Sequence, residues 1–363
     1  SEGSLVRQQD TLRASKHMSS GSTGSPVEFF VTDMNTRYNQ VRMLTQYLME
    51  GRDLSRNRTR IRLFKYEEVK AAGVDPRKGF TVTTTNDWLN SLGRLFASGR
   101  NKTINYWHPN HAALLEELSK HDIGYLISLP SLVESLLSGG VDFLKANGTE
   151  IFMPLGEGIS DELRLQFGAA GIPIRSSYSS EELGGMGAEC AAMPGYYHAA
   201  HSNVIIEADK ANATRVGERE LTPVLATGLH AYATPFVRYD VGDLAVIEEG
   251  CPCGHVGVTL SHIAGRSKII IKHPDGRLSP FNMRASDVTK IAPVREYRVR
   301  QVSLSKIILE LGGCGDLEEE QKNRLKALIA ALAGGNFTVE LSIADAIDWG
   351  KNQKRLGFVN EVI

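Results

Sequence analysis

From residue 109 onward the apolar positions fall into a helical rhythm: Ala112, Leu114, Leu115 and Leu118 share one face of a 3.6-residue repeat. The short apolar run at 124–129 predicts a buried strand, 131–137 a helix, and 150–155 a second strand. Ser160 is placed to N-cap a helix reaching Phe167, and 172–174 predicts one more strand edge. Short strands alternating with helices predict an α/β fold built on a parallel sheet. Residues 1–18 are polar and carry no assigned element.

The texture changes after Glu189. Residues 203–207, 222–227 and 244–248 are β-rich with no helical stretch between them, which predicts a smaller β subdomain. Beyond Gly265, 297–311 is strand-like, 317–332 has helical periodicity and 337–343 is strand-like again. The expected organisation is therefore an α/β part over 1–189, a β-rich subdomain over 190–265 and a small C-terminal αβ region over 266–363.

Composition narrows the function classes. At 363 residues the chain exceeds one typical core, and 42% apolar with 23% charged residues is ordinary for a globular protein. Forty-one Lys and Arg against 42 Asp and Glu leave no basic excess, which argues against a nucleic-acid or anionic-membrane partner. The first residues hold no apolar signal core, and the densest apolar run, near 328–333, is far too short to span a bilayer. Four cysteines do not form a secreted disulfide framework, so a cytoplasmic location is expected.

Four strings carry candidate chemistry. Ser19-Ser20-Gly21-Ser22-Thr23-Gly24-Ser25-Pro26 combines glycines, which let backbone N–H groups turn inward on phosphate, with hydroxyl donors; a flexible polar linker is the competing reading. No Walker lysine follows it, so it is not a P-loop of that type. Ser177-Tyr178-Ser179-Ser180-Glu181 follows a predicted strand, where a carboxylate can hold Mg²⁺ and a hydroxyl can reach phosphate. In Arg238-Tyr239-Asp240-Val241-Gly242-Asp243, an aspartate ahead of a strand can accept from two ribose hydroxyls, or the string can be a turn. Gly265-Arg266-Ser267-Lys268 is a turn with two cations.

In that order the strings resemble the adenylate-forming superfamily of acyl-CoA synthetases, peptide-synthetase adenylation domains and luciferases. Gly156-Glu157, Glu189-Cys190 and Cys251-Pro252-Cys253-Gly254 look like its phenylacetate–CoA ligase branch, and the likeness runs from about Ser19 to Pro280. Short members of natural-product pathways, phenazine antibiotic assembly among them, activate aryl acids. The resemblance implies ATP-dependent activation of a carboxylate as its acyl-adenylate, with ATP, AMP and Mg²⁺ as the bound species. It assigns Ser19, Ser20, Gly21, Ser22, Thr23 and Gly24 to the β- and γ-phosphates, Ser180 to phosphate contact and Glu181 to Mg²⁺. Asp243 and Arg266 would grip the ribose, Gly156 and Glu157 would line the adenine pocket, and Lys268 would sit at an interdomain hinge.

Departures from the pattern carry expectations of their own. Ser25 stands where the family has lysine, and Ser177 stands where it has an adenine-stacking tyrosine, for which Tyr178 is the substitute. Only 18 residues precede Ser19, so a pared-down first domain is expected. The catalytic lysine would be Lys351, with Lys354 as rival, in a poorly matching context. These departures favour adenylation with the acyl group passed to a partner protein, a reductase or acyltransferase. A complete aryl-acid–CoA ligase using CoA and a non-catalytic nucleotide- or zinc-binding homologue are the alternatives.

The cysteines pose a separate question. Cys190, Cys251 and Cys253 with His198 or His201 make a Cys₃His set of the kind that closes a structural Zn²⁺ site. Three reduced, partly buried thiols are the other reading, since Cys-x-Cys is tighter than the usual Cys-x₂-Cys. His255 and Cys314 are weaker candidates, and Cys314 reads as a lone thiol.

Overall fold

The computed structural model describes residues 14–18, 28–63, 79–89, 96–106, 111–136, 140–264, 270–281, 283, 285–294, 296–334, 337–345, 347–348 and 357–362. It divides into one unit of Gln40–Ser177 and a second containing Ser1–Asn39 and Tyr178–Ile363. The first elements among the described residues are an antiparallel pair, β1 (Ala14–Met18) and β2 (Glu28–Thr32). Helix α1 (Asp33–Met49) follows, and its start is capped by Thr32 Oγ1, which accepts from the Asn35 N–H at 3.1 Å.

The Gln40–Ser177 unit is an α/β sandwich. Its strands are β3 (Arg58–Leu63), β4 (Phe80–Thr85), β5 (Asn101–Tyr106), β6 (Gly124–Ser128) and β7 (Thr149–Pro154), in the order β4-β5-β3-β6-β7. β3, β5, β6 and β7 run parallel, and β4 is an antiparallel edge. Helices α2 (His111–Ser119), α3 (Pro130–Leu136), α4 (Asp142–Ala146) and α5 (Asp161–Ala169) accompany them. Leu114 and Leu118 of α2, Val133 of α3 and Phe167 of α5 are buried in one cluster with Ile104 and Phe152 of the sheet. The expected parallel sheet is present, and Ser160 caps α5 by accepting from the Leu163 N–H at 3.2 Å. Residues 172–174 form only a single bridge, Ile174 to Phe152, in which the Phe152 N–H donates to the Pro173 carbonyl and the Arg175 N–H to the Phe152 carbonyl.

β3 and β5 escaped the apolar pattern because charged residues sit inside them. Lys102 on β5 is buried, and its ammonium reaches the Glu117 carboxylate of α2 at 2.8 Å and donates to the Glu117 carbonyl. A buried charge is tolerated when it is paired and hydrogen-bonded in this way.

The second unit is mainly sheet. Ten strands pair there: β8 (Ser177–Ser180), β9 (Gly184–Glu189), β10 (Tyr196–Ala199), β11 (Val204–Ala208), β12 (Thr214–Val216), β13 (Arg219–Gly228), β14 (Tyr239–Glu249), β15 (Val258–Ala264), β16 (Ile270–Lys272) and β17 (Leu278–Pro280). The main path is β16-β17-β12-β13-β14-β15-β10-β9-β8, with β11 alongside β13. This sheet takes in Ser177–Glu189, residues assigned above to the first region. Next come α6 (Ala285–Thr289) and a four-stranded sheet ordered β20-β19-β18-β21. Its members are β18 (Glu296–Ser303), β19 (Lys306–Gly312), β20 (Thr338–Ala344) and β21 (Phe358–Asn360), with α7 (Glu319–Ala333) packed against it. The strand-like run 297–311 is thus a hairpin turning at Leu304 and Ser305. Among the described residues, no helix is long and apolar enough to cross a membrane.

Candidate functional site

Two of the four strings meet in the second unit. Tyr178 is 8% exposed, its ring lies in the core cluster with Phe29, Met186 and Phe236, and its hydroxyl donates to Asp243 Oδ2 at 2.8 Å. A second bond of the same kind joins Tyr239 on β14 to Glu182, hydroxyl to Oε1 at 3.1 Å. The ring thus packs against the core while its hydroxyl serves Asp243. The packing makes it a clamp on Asp243, which is half-buried on β14.

Glu181 is exposed on the turn between β8 and β9. That turn is tied from both sides. Ser180 Oγ accepts from the Leu183 N–H at 3.1 Å, and the buried Asn203 amide donates to the carbonyls of Leu183 at 2.9 Å and Gly185 at 2.8 Å. Gly184 has φ +68°, and a Cβ there would stand 2.6 Å from Asn39 Oδ1, so the position requires glycine. On the approach to Asp243, Arg238 pairs with Glu207, and the Gly242 N–H donates to Asp240 Oδ1 at 2.8 Å. The turn that carries Glu181 and the strand that carries Asp243 are thus both braced. Neither Asn203 nor the tyrosine bonds leave a signal in the sequence.

Gly156 and Glu157 belong to the other unit. Gly156 has φ +72°, the left-handed region that glycine enters without strain. Glu157 accepts from the Ser131 N–H and from its hydroxyl, each at 3.0 Å, and so caps the start of α3. This gives Glu157 a structural task whatever its part in binding. Ser19, Ser20, Gly21, Ser22, Thr23, Gly24, Ser25, Arg266, Lys268, Lys351 and Lys354 lie outside the described residues.

The cysteine question resolves more sharply. One donor atom each from Cys190, His198, Cys251 and Cys253 lie within 4.8 Å of one another, the one such His/Cys/Asp/Glu group among the described residues. β10 pairs with both β9 and β15, placing His198 beside Ala188 on one side and Thr259 on the other. Cys190 follows β9, and Cys251 and Cys253 precede β15, so sheet order brings the donors together. His201 lies on the turn past β10 and is not in the group. Zn–S bonds of about 2.3 Å and Zn–N bonds of about 2.0 Å imply S···S edges near 3.8 Å and S···N edges near 3.5 Å in a tetrahedron. Cys253 Sγ lies 3.5 Å from His198 Nε2. The donor set therefore fits Zn²⁺ in chemistry, and this S···N edge matches the tetrahedral value.

Electrostatics in the cluster are uneven. The His255 N–H donates to Cys253 Sγ at 3.4 Å and holds that thiol below its ordinary range, while burial pushes the Cys251 thiol up. Burial, with His255 beside it, lowers the pKa of His198, which favours the neutral imidazole a metal needs. All four cysteines are free thiols, Cys314 among them.

The chain has the fold of the adenylate-forming enzymes. No protein-family model and no curated protein matches the sequence. Solved structures do. A 2-hydroxyisobutyryl-CoA ligase in the postadenylation state is similar over 96% of this chain and 73% of its own, at TM-score 0.58 and 16% identity. An ATP-bound RpMatB-BxBclM chimera gives TM-score 0.56 at 13% identity, covering 91% of this chain and 64% of its own. O-succinylbenzoate coenzyme A synthetase from Bacillus subtilis, in complex with AMP, gives 0.53 at 14% identity, with 92% and 65% covered.

Proposed function

We propose that this chain is an AMP-forming ligase that activates a small carboxylic acid with ATP. A carboxylate oxygen bonds to the α-phosphorus, the bond from that phosphorus to the bridging oxygen breaks, and pyrophosphate leaves with its electron pair. The acid then carries AMP as a leaving group. Such a step depends mainly on positioning and charge neutralisation. The observation that carries the reading is the Tyr178–Asp243 bond, which braces the two motif-bearing strands against one another.

In this reading Asp243 accepts from the ribose hydroxyls and Arg266 donates to the ribose, Ser180 and residues 19–24 contact phosphate, Glu181 is the Mg²⁺ ligand and Lys351 the catalytic lysine. Mg²⁺ would supply charge neutralisation at the phosphates. Gly156 and Glu157 border the adenine, with regions 1–189, 190–265 and 266–363 as the functional divisions. The phenylacetate–CoA ligase-like strings support an aryl acid as substrate and a place in secondary-metabolite assembly, phenazine antibiotics included, in the cytoplasm. The poorly matching context of Lys351 supports transfer of the acyl group to a partner protein. The CoA ligases among the similar folds favour the second reading, direct transfer to CoA. The Cys190, His198, Cys251 and Cys253 cluster is read as a closed structural Zn²⁺ site.

Pyrophosphate exchange against a panel of aryl carboxylates tests the proposal. Exchange with at least one acid, lost in Glu181→Ala while folding persists, is the expected result. Thioester formation on adding CoA selects the second reading, and absence of exchange with every acid overturns the activity.

A further inference from the structure

His255 touches the metal cluster without being one of its four donors. Its ring lies parallel to the His198 ring, with centroids 4.0 Å apart and an interplanar angle of 13°. Its backbone works on both cysteines of the Cys-x-Cys turn: the N–H donates to Cys253 Sγ at 3.4 Å, and the carbonyl accepts from the Cys251 N–H at 3.0 Å. One residue therefore contacts three of the four donor residues. Its Nε2 is buried and makes no hydrogen bond. The contact the side chain makes with the cluster is through its flat face.

We infer that His255 is a positioning residue for the metal centre, its imidazole stacked on His198 to hold that ring in the orientation that ligates. The inference rests on the Zn²⁺ reading of the cluster. A histidine ligand rotates about two side-chain torsions, and residues that restrict the rotation raise affinity without touching the metal. Elsewhere this task falls to a hydrogen bond on the far ring nitrogen; here a parallel ring does it. The backbone bonds to Cys251 and Cys253 survive any substitution other than proline, so side-chain variants isolate the stack.

The experiment is metal affinity of the full chain, by competition between protein and a chelating dye for Zn²⁺, with the Co²⁺-loaded absorption spectrum as a second readout. His255→Ala is expected to weaken Zn²⁺ binding about 10- to 100-fold, in the range seen when residues supporting a ligand are removed. His255→Phe, which keeps a flat ring, is expected to stay within about threefold of the parent. The Co²⁺ charge-transfer bands should retain their three-thiolate intensity in both, while the ligand-field bands shift in His255→Ala alone. Should His255→Ala fail to fold, His255→Leu against His255→Phe makes the same comparison at similar bulk. Equal affinity in parent and His255→Ala, or equal loss in the Ala and Phe variants, overturns the inference alone. A parent protein that takes up neither metal overturns the zinc reading and the inference together.

Discussion

The Tyr178 hydroxyl donates to the Asp243 carboxylate across the sheet, from a ring embedded in the core. A hydrogen bond to a charged group contributes about 1.5–3 kcal/mol. Tyr178→Phe removes it while keeping the ring. We expect KM for ATP to rise about tenfold in pyrophosphate exchange, with a melting temperature within a few degrees of the parent. Asp243→Asn should cost more. The double variant should cost little beyond Asp243→Asn, because the two residues act through one contact. Additive effects would show that Tyr178 does not act through Asp243.

Asn203 supports a second relationship, between the β8–β9 turn and the sheet. Its side-chain amide satisfies two main-chain carbonyls. Asn203→Ala leaves both without that donor and should cost about 2–4 kcal/mol in denaturant unfolding, as the desolvation penalties of two orphaned groups imply. Glu181→Ala, at an exposed position, should leave stability within about 0.5 kcal/mol of the parent. A stable Asn203→Ala chain would contradict the bracing role.

The buried Lys102–Glu117 pair makes stability depend on acid. Burial alone would raise the Glu117 pKa, but Lys102 and Lys120 outweigh it and hold the carboxyl below its ordinary value. A carboxyl depressed in the folded state contributes stability that is present above its unfolded pKa. That contribution is lost as pH falls through the folded value. Equilibrium unfolding between neutral pH and about pH 3 should therefore show a loss that Glu117→Gln flattens. At neutral pH Glu117→Gln strands the Lys102 ammonium and should cost about 3 kcal/mol. Replacing both by Met and Leu should recover most of that cost. A Glu117→Gln chain as stable as the parent would show that the pair is not buried.

Removing metal should be visible in the β-rich sheet. A zinc chelator is expected to lower the melting temperature of protein purified without chelator, and added Zn²⁺ to restore it. Cys251→Ser should abolish the chelator's effect, whereas Cys314→Ser, outside the cluster, should leave it intact. The same response in both variants would remove the cluster from consideration.

Helices and apolar strands were legible in the chain because they obey local rules. α2 displays its 3.6-residue repeat, β6 its apolar run, and α5 its Ser160 cap. β3 and β5 were not, because Arg58, Arg60 and Lys102 interrupt the period and only a partner such as Glu117, distant in sequence, makes their burial tolerable. The order of the motifs, readable residue by residue, pointed to the fold that the solved structures share.

The amino-acid sequence alone determined the fold class and the donor chemistry: three cysteines and a histidine, a glutamate after two serines, an aspartate after a glycine, which the fold sets inside β14 and not ahead of it. It left His198 and His201 as alternatives and cast Tyr178 as a stacking ring. Strand pairing decided the first, because β10 lies between β9 and β15 and carries His198 to the cysteines while His201 passes onto the turn. For Tyr178, packing added a task the sequence did not show: its ring is 8% exposed and its hydroxyl holds Asp243. Both depend on contacts between residues tens of positions apart, and only the folded sheet brings those residues together.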